Sequence, residues 1–339
     1  MSNDNLIWLN EAEIAELVDL DDAIEALETG LALEARERAY NVPKALGVWG
    51  DGSSMHALGS MFPKDGYVGF KTWANTKRGA TAVFNLFDAD NGRLLAAMEA
   101  AVLGQLRTSG ISGVATRRMA AEDADTMALI GTGAQAITQV AAVNAVRPLK
   151  CLKVFSPTAE KRQAFVARAR EAFPFAIEEA GSVEACVADQ PIVTTITRSS
   201  DPFLTADMLA RGTHLNAVGA ILPQKAEFTQ DVFDRADLVI VDNLPNAKLA
   251  SSEFIDRFEK GPGDWQKVRT LSAAIVEGLT RPATADLSIF KAMGMGISDL
   301  CIAKAAYERA VKQRLGLKIP SPVRVAPQWR RATGTQAAQ

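Results

Sequence analysis

One segment limits the folds open to this chain. Thr126-Met127-Ala128-Leu129-Ile130 is a short apolar run, Gly131-Thr132-Gly133-Ala134-Gln135-Ala136 is a G-x-G-x-x-A loop, and a helical pattern follows through Val146. The first glycine of such a loop permits a tight turn and the second lets the backbone approach an anion. The small third residue lets the helix pack close to its strand. Free N–H groups at the helix start then hold the anion. Cys151–Phe155 reads as the next strand, a helix covers Glu160–Ala172, and Pro191–Thr195, His214–Val218 and Asp237–Val241 continue the series. Strands alternating with helices of about 10–15 residues build βαβ units and a parallel sheet. The expected fold class is α/β, a Rossmann-type doubly wound sheet with a second α/β unit.

In that setting the loop reads as a dinucleotide site, against the blander reading of a glycine-rich turn in another doubly wound fold. The strand after it ends at Ser156-Pro157-Thr158, where an NAD-selective site carries Asp or Glu for the ribose 2′-hydroxyl. Ser156 stands 25 residues after Gly131 with no acid beside it. Ser156, Thr158, Lys161 and Arg162 could surround a 2′-phosphate, so NADP(H) is favoured, with NAD(H) as the second possibility. Lys and Arg are also ordinary on a solvated helix face.

The rest of the chain has a different texture. Residues 1 to about 40 read as helical, with Ile24, Leu27 and Leu31 at helical spacing. From Pro43 to Asp90, glycines punctuate short apolar runs and Asp90-Asn91-Gly92 reads as a turn, so a β meander is expected there. Helix is expected from about Ala97 to Met119, and a last helix from near Ser298-Asp299. The small, polar tail Thr333–Gln339 reads as frayed.

Two cations stand in unexpected company. Lys71 lies in the strand-like Tyr67–Thr72 run, where a lysine either escapes to solvent along its stem or is retained for its charge. Taken alone, the solvated edge is the better reading. Arg107, in Leu103–Ser109, taken alone reads as a surface salt bridge. His214 precedes Leu215-Asn216-Ala217-Val218-Gly219 and reads as a satisfied core residue, while His56 sits in a Gly/Ser-rich stretch with no evident partner.

Charge and composition exclude several classes. Lys+Arg 37 against Asp+Glu 40 gives a net charge of −3, so no global basic field recruits nucleic acid. No apolar run approaches the ~18 residues of a membrane span, and Met1–Asn5 lacks the build of a signal peptide. The expected compartment is the cytoplasm. Three dispersed cysteines and two histidines offer neither a disulfide framework nor a zinc motif, so no metal is expected. No G-x-S-x-G occurs, which argues against a serine hydrolase of the α/β type.

Several segments together resemble the ornithine cyclodeaminase/μ-crystallin family over about residues 41–307. The anchors are Gly69-Phe70-Lys71, Leu106-Arg107-Thr108, Ala128–Gln135, Asn216-Ala217-Val218-Gly219, and Phe290-Lys291-Ala292-Met293-Gly294 followed by Ser298-Asp299. The resemblance implies a dinucleotide-binding domain over 122–290. It also implies a substrate-binding and dimerisation domain formed by 1–121 with 291–339, and hence a homodimer. It implies that Lys71 and Arg107 hold a substrate carboxylate. Lys44, after Pro43, is the nearest match to the family's third cation, an arginine, and is expected to help hold that carboxylate without the bidentate grip. Cofactor contacts are expected from Arg107, Thr108, Gly131, Thr132, Gly133, Ala134, Gln135, Ser156, Thr158, Arg162, Thr195, Ala217, Val218, Gly219, Met293 and Gly294.

One departure bears on the reaction. Cyclodeaminases of the family carry Asp two residues after the glycine of Asn216–Gly219; here that position is Ile221, which cannot serve as acid or base. With Ser156 in place of the ribose-binding acid, this favours an NAD(P)H-dependent reductase of small α-imino acids (ketimines) over a redox-neutral cyclodeaminase. An NAD(P)-dependent L-amino-acid dehydrogenase, the same chemistry reversed, comes next. A crystallin-like protein that holds NADP(H) without turnover is the non-enzymatic alternative. Trp49–Phe62, read as a loop, and Trp73–Arg78 are expected to shape the substrate pocket.

Overall fold

The computed structural model describes residues 5–50 and 52–329; the readings made of Met1–Asp4 and of the tail Thr333–Gln339 fall outside them. Two eight-stranded sheets organise the chain. The first takes its strands in the order Leu317–Pro320, Asn5–Leu9, Leu94–Glu99, Gly79–Asp88, Tyr67–Thr76, Ser53–Phe62 and Tyr40–Asn41, with Ala45–Trp49 also paired to Ser53–Phe62. The meander between Pro43 and Asp90 is therefore present, its strands antiparallel. Where a loop was expected over Trp49–Phe62, Trp49 ends one strand of a hairpin and Ser53–Phe62 forms the other.

The second sheet is parallel throughout, in the order Ala176–Glu179, Cys151–Phe155, Thr126–Ile130, Ile192–Thr195, Thr213–Ala217, Leu287–Lys291, Ala236–Val241 and Val268–Thr270. Its strand order reverses at Thr126–Ile130, with Cys151–Phe155 on one side and Ile192–Thr195 on the other. Ligands of open α/β sheets sit outside the carboxyl ends of the strands at such a switch point.

Two expectations for the first hundred residues need correcting. Asn5–Leu9 is a strand, added in parallel to Leu94–Glu99, before the helices Glu11–Leu17 and Leu20–Ala35 begin. Leu6 and Leu9 are buried there, and their three-residue spacing is also that of a helix stripe. The expected helix start at Ala97 is also early. Leu94–Glu99 pairs into the sheet, and the helix runs Ala101–Met119. No side chain of its own caps that helix. Instead the Glu11 carboxylate accepts the N–H groups of Ala101 and Val102, each at 2.7 Å, doing an N-cap's work from a distant part of the chain.

One apolar core joins the sheets. It takes Ile24, Leu27 and Leu31 from Leu20–Ala35, Leu103, Ile111 and Val114 from Ala101–Met119, and Ile297, Leu300 and Ile302 from the helix Gly296–Gln313. Phe84 comes from the first sheet, and Ile240 and Phe290 from the second. Helix Ala101–Met119 thus lies between the layers and can present Arg107 and Thr108 at the parallel strand ends. No helix among the described residues is long and apolar enough to cross a membrane.

Candidate active site

The carboxyl ends of the parallel strands open into one cleft of about 910 Å³, within the ~300–1,000 Å³ usual for small-molecule sites. Gly131 makes the turn out of its strand with φ +112°, and a Cβ there would meet the Ile196 carbonyl oxygen at 2.5 Å. Only glycine satisfies both conditions. No atom lies within 4 Å of where a Gly133 Cβ would be. The loop therefore offers open space above the backbone at the head of the helix Ala136–Val146, which fits a dinucleotide pyrophosphate.

In strand order, the lining runs from Ser156, Thr158 and Lys161 through Gly131–Gln135, Thr197–Ser199, Val218–Gly219 and Ile221 to Met293–Gly294 and Asp242. Arg107 and Thr108 close it from the intervening helix. Ser156 is buried, with no acid in place of it. Arg162, expected at the cofactor, faces elsewhere: its Nε donates to Glu179 at 2.7 Å, its Nη1 to the Ser156 carbonyl, and its guanidinium lies 5.6 Å from the Phe155 ring. Lys161 reaches the wall instead.

Thr195 and Ala217 are fully buried and lie behind the lining. Thr195 gives its hydroxyl to Glu227 at 2.9 Å, and the same carboxylate accepts from Thr197 N–H (2.7 Å), Gly219 N–H (2.9 Å) and Ala220 N–H (3.2 Å). One buried acid thereby ties two strand ends together. A Cβ on Gly219 would sit 2.3 Å from Glu227 Oε1, which explains the glycine. Behind Glu227, Lys291 donates to Glu253 at 2.8 Å, both side chains fully buried. Asp242, which sequence reading passed over, accepts from Met293 N–H (2.8 Å) and Gly294 N–H (2.7 Å) and so fixes the loop that faces Arg107. Burial pushes its carboxyl above the ordinary range.

Lys71 corrects its own first reading. It is 4% exposed, and its Nζ donates to Asp299 Oδ1 at 2.6 Å. Arg107 is no surface pair either. Its Nε lies 3.2 Å from the same oxygen without the alignment of a hydrogen bond. Asp299 is wholly buried in the first turn of Gly296–Gln313, where an acid is favoured by the helix dipole. Its Oδ2 has no hydrogen-bond partner among the described residues. Sequence reading quoted Asp299 as an anchor but gave it no role. Burial and the Arg107 charge draw the Lys71 ammonium down to about 8, Asp299 opposing.

Lys44 lies outside the cleft lining, its Nζ 5.7 Å from the Trp73 ring centroid; Lys71 Nζ is 5.1 Å from the same ring. The surrounding protein and the charge of Arg107 lower the Lys44 pKa. His56 belongs to a strand and has partners: Ser54 Oγ at 2.8 Å and the Trp73 ring, stacked at 4.4 Å. His214 is a satisfied core residue as expected, between Ser288 Oγ and Asn216 Oδ1. Ile221 stands 41% exposed at the mouth.

The chain is similar to known proteins in sequence and in fold. A Δ1-pyrroline-2-carboxylate reductase of Bacillus cereus (strain ZK / E33L) is 28% identical over 78% of this chain and 81% of its own. An alanine dehydrogenase of Archaeoglobus fulgidus is 28% identical over 92% and 97%. The solved Δ1-pyrroline-2-carboxylate reductase of Thermococcus litoralis, in complex with NADH and L-proline, superposes with a TM-score of 0.87. It shows 22% identity over 93% of this chain and all of its own. The family model described as ornithine cyclodeaminase/mu-crystallin matches residues 5–314. On that match the chain belongs to the ornithine cyclodeaminase/mu-crystallin family.

Proposed function

We propose that this protein reduces a small α-imino acid to the L-amino acid with NAD(P)H. The observation that carries the reading is the pair Lys71 and Arg107, drawn together by Asp299 beside a cleft with dinucleotide geometry and with Ile221 in place of an acid. The reduced nicotinamide, when bound, supplies hydride to the imine carbon. Arg107 and Lys71 hold the substrate carboxylate, which fixes the planar imine against that face. Lys71, kept charged by Asp299, holds the proton needed at the imine nitrogen. Relatives named as pyrroline-carboxylate reductases support the direction of the reaction. The alanine dehydrogenase among them supports the same chemistry reversed.

Within this reading NADP(H) is preferred over NAD(H), because Ser156, Thr158 and Lys161 offer hydroxyls and a cation where an acid would repel a 2′-phosphate. The unit formed by 1–121 and 291–339 binds substrate and makes a homodimer, while 122–290 holds the cofactor. The enzyme works in the cytoplasm, on its pool of reduced nicotinamide. The test is oxidation of NADPH and of NADH against Δ1-pyrroline-2-carboxylate and against pyruvate, glyoxylate or oxaloacetate with ammonia. Turnover with an imine supports the reductase. Silence with every imine, with proline formed from ornithine, replaces it by a cyclodeaminase.

A further inference from the structure

The carboxyl ends of the parallel strands divide into two halves. The G-x-G turn after Thr126–Ile130 and the Ser156 turn after Cys151–Phe155 suit the adenosine half of a dinucleotide. The nicotinamide half then falls across the switch point, at the turns after Ile192–Thr195, Thr213–Ala217 and Leu287–Lys291. There Thr197, Gly219, Ile221 and Met293 line the cleft.

These turns are tied together by Glu227, which is wholly buried. Its Oε1 accepts from the N–H and the hydroxyl of Thr197, at 2.7 and 2.8 Å. Its Oε2 accepts from the Thr195 hydroxyl (2.9 Å) and from the N–H groups of Gly219 (2.9 Å) and Ala220 (3.2 Å). Donors crowding both oxygens fit the ionised carboxylate, which only accepts. Among the described residues no cation pairs with it. Lys225, two residues away, gives its ammonium to the Arg198 carbonyl and Ser200 Oγ. Lys291 is engaged by Glu253, whose Oε1 accepts the Glu227 N–H at 2.9 Å. The buried group thus holds two carboxylates and one ammonium. Burying a charge without a counter-charge is costly, and neutral groups could brace two turns.

Reduction gives that charge a use. When hydride passes from the reduced cofactor to the carbon of a protonated imine, the imine becomes a neutral amine and the positive charge is left on the nicotinamide. Arg107 Nη1 lies 2.9 Å from where a Gly294 Cβ would be, so a guanidinium already stands at this half of the cleft and opposes a second cation there. A carboxylate under the same turns offsets it.

Resting on the imino-acid reading above, we propose that Glu227 is the positioning residue of the nicotinamide half: it fixes the Thr197 and Gly219 turns and sets beneath them a negative charge that favours the oxidised, cationic cofactor over the reduced one.

The experiment reads binding rather than turnover. NADPH affinity is measured by nicotinamide fluorescence and NADP+ affinity by displacement of NADPH, or with NADH and NAD+ if those bind more tightly. Glu227→Gln is expected to weaken the oxidised form relative to the reduced one by about fivefold or more. Glu227→Asp, which keeps the charge, is expected to hold the ratio of the two affinities within about twofold even where both fall. A ratio unmoved in Glu227→Gln, with both forms weakened together or not at all, would make Glu227 a brace only and overturn the proposal. If Glu227→Gln does not fold, Glu253→Gln removes a buried negative charge without deleting any acceptor of the Thr197 and Gly219 turns. The same shift in ratio there supports the proposal, and an unmoved ratio overturns it. The imino-acid reading stands or falls separately, on turnover: a protein that binds both cofactor forms but reduces no imine still decides the role of Glu227 by this ratio.

Discussion

The dinucleotide cleft and the cation cluster beside it are built in opposite ways. The cleft is made of backbone: glycines, strand ends and a helix start, held by buried acids that accept main-chain N–H groups. The cluster is made of side chains from distant parts of the chain, Lys71 from one sheet, Arg107 from the central helix and Asp299 from the last helix. A backbone site tolerates changes of side chain and needs its scaffold. A side-chain site rests on individual groups, and removing one member of a buried pair strands the other.

Substitutions can separate the two. Lys71→Met should lower kcat/KM for the imine by roughly 10²–10⁴-fold while changing NAD(P)H affinity little, as read by nicotinamide fluorescence. Equal loss of both would mean that the two regions are one. On the scaffold side, Lys291→Met strands the buried Glu253 carboxylate and should cost about 3–5 kcal/mol in urea unfolding. Its surviving folded fraction should keep the wild-type substrate preference.

Titration sharpens the contrast. With Lys71 near 8, kcat/KM for reduction should fall as pH rises through that value, since the proton it supplies is lost. Asp299 raises the Lys71 pKa, so in Asp299→Asn the falling limb should move to lower pH, and a limb that stays in place would assign the proton elsewhere. The smallest effect belongs to the seam between the regions. Glu34 accepts from Asn41 Nδ2, and Asn41 Oδ1 accepts from Ile297 N–H. Burial pushes the Glu34 carboxyl up to about 7. A carboxyl raised above its unfolded value destabilises the fold progressively as pH climbs from the ordinary carboxylate range through 7. Glu34→Gln should therefore stabilise by about 1–2 kcal/mol at pH 8 and make little difference near pH 4, as measured by denaturant midpoints.

The same contrast decided what could be read from the residues alone. The G-x-G-x-x-A loop, its strands and the parallel sheet were legible because the chemistry lies within about 30 consecutive residues. Lys71 and Arg107 were not, taken singly, because nothing near either in sequence says that a buried carboxylate arrives 228 and 192 positions later. The family resemblance supplied that link for the two cations but gave no part to Asp299. Asp242 and Glu227 escaped notice for a related reason: acids that cap main-chain N–H groups across loops leave no spacing rule. Arg162 was placed by proximity to Ser156 and is drawn off by Glu179, a partner that only the neighbouring strand reveals.

The strand Asn5–Leu9 lies between Leu94–Glu99 and Leu317–Pro320. A ribosome makes Asn5–Leu9 before the parallel sheet and Leu317–Pro320 after it. The parallel sheet has all its strands once Lys291 has left the ribosome. The meander must wait with Lys71 uncompensated until Asp299 follows. Domains fold as they emerge during synthesis, so here the part made first is finished last. A chain released early, short of its last helix, would carry a complete nucleotide-type cleft beside an unfinished substrate side. The order of assembly thus withholds catalytic competence until the helix that carries Asp299 has been made.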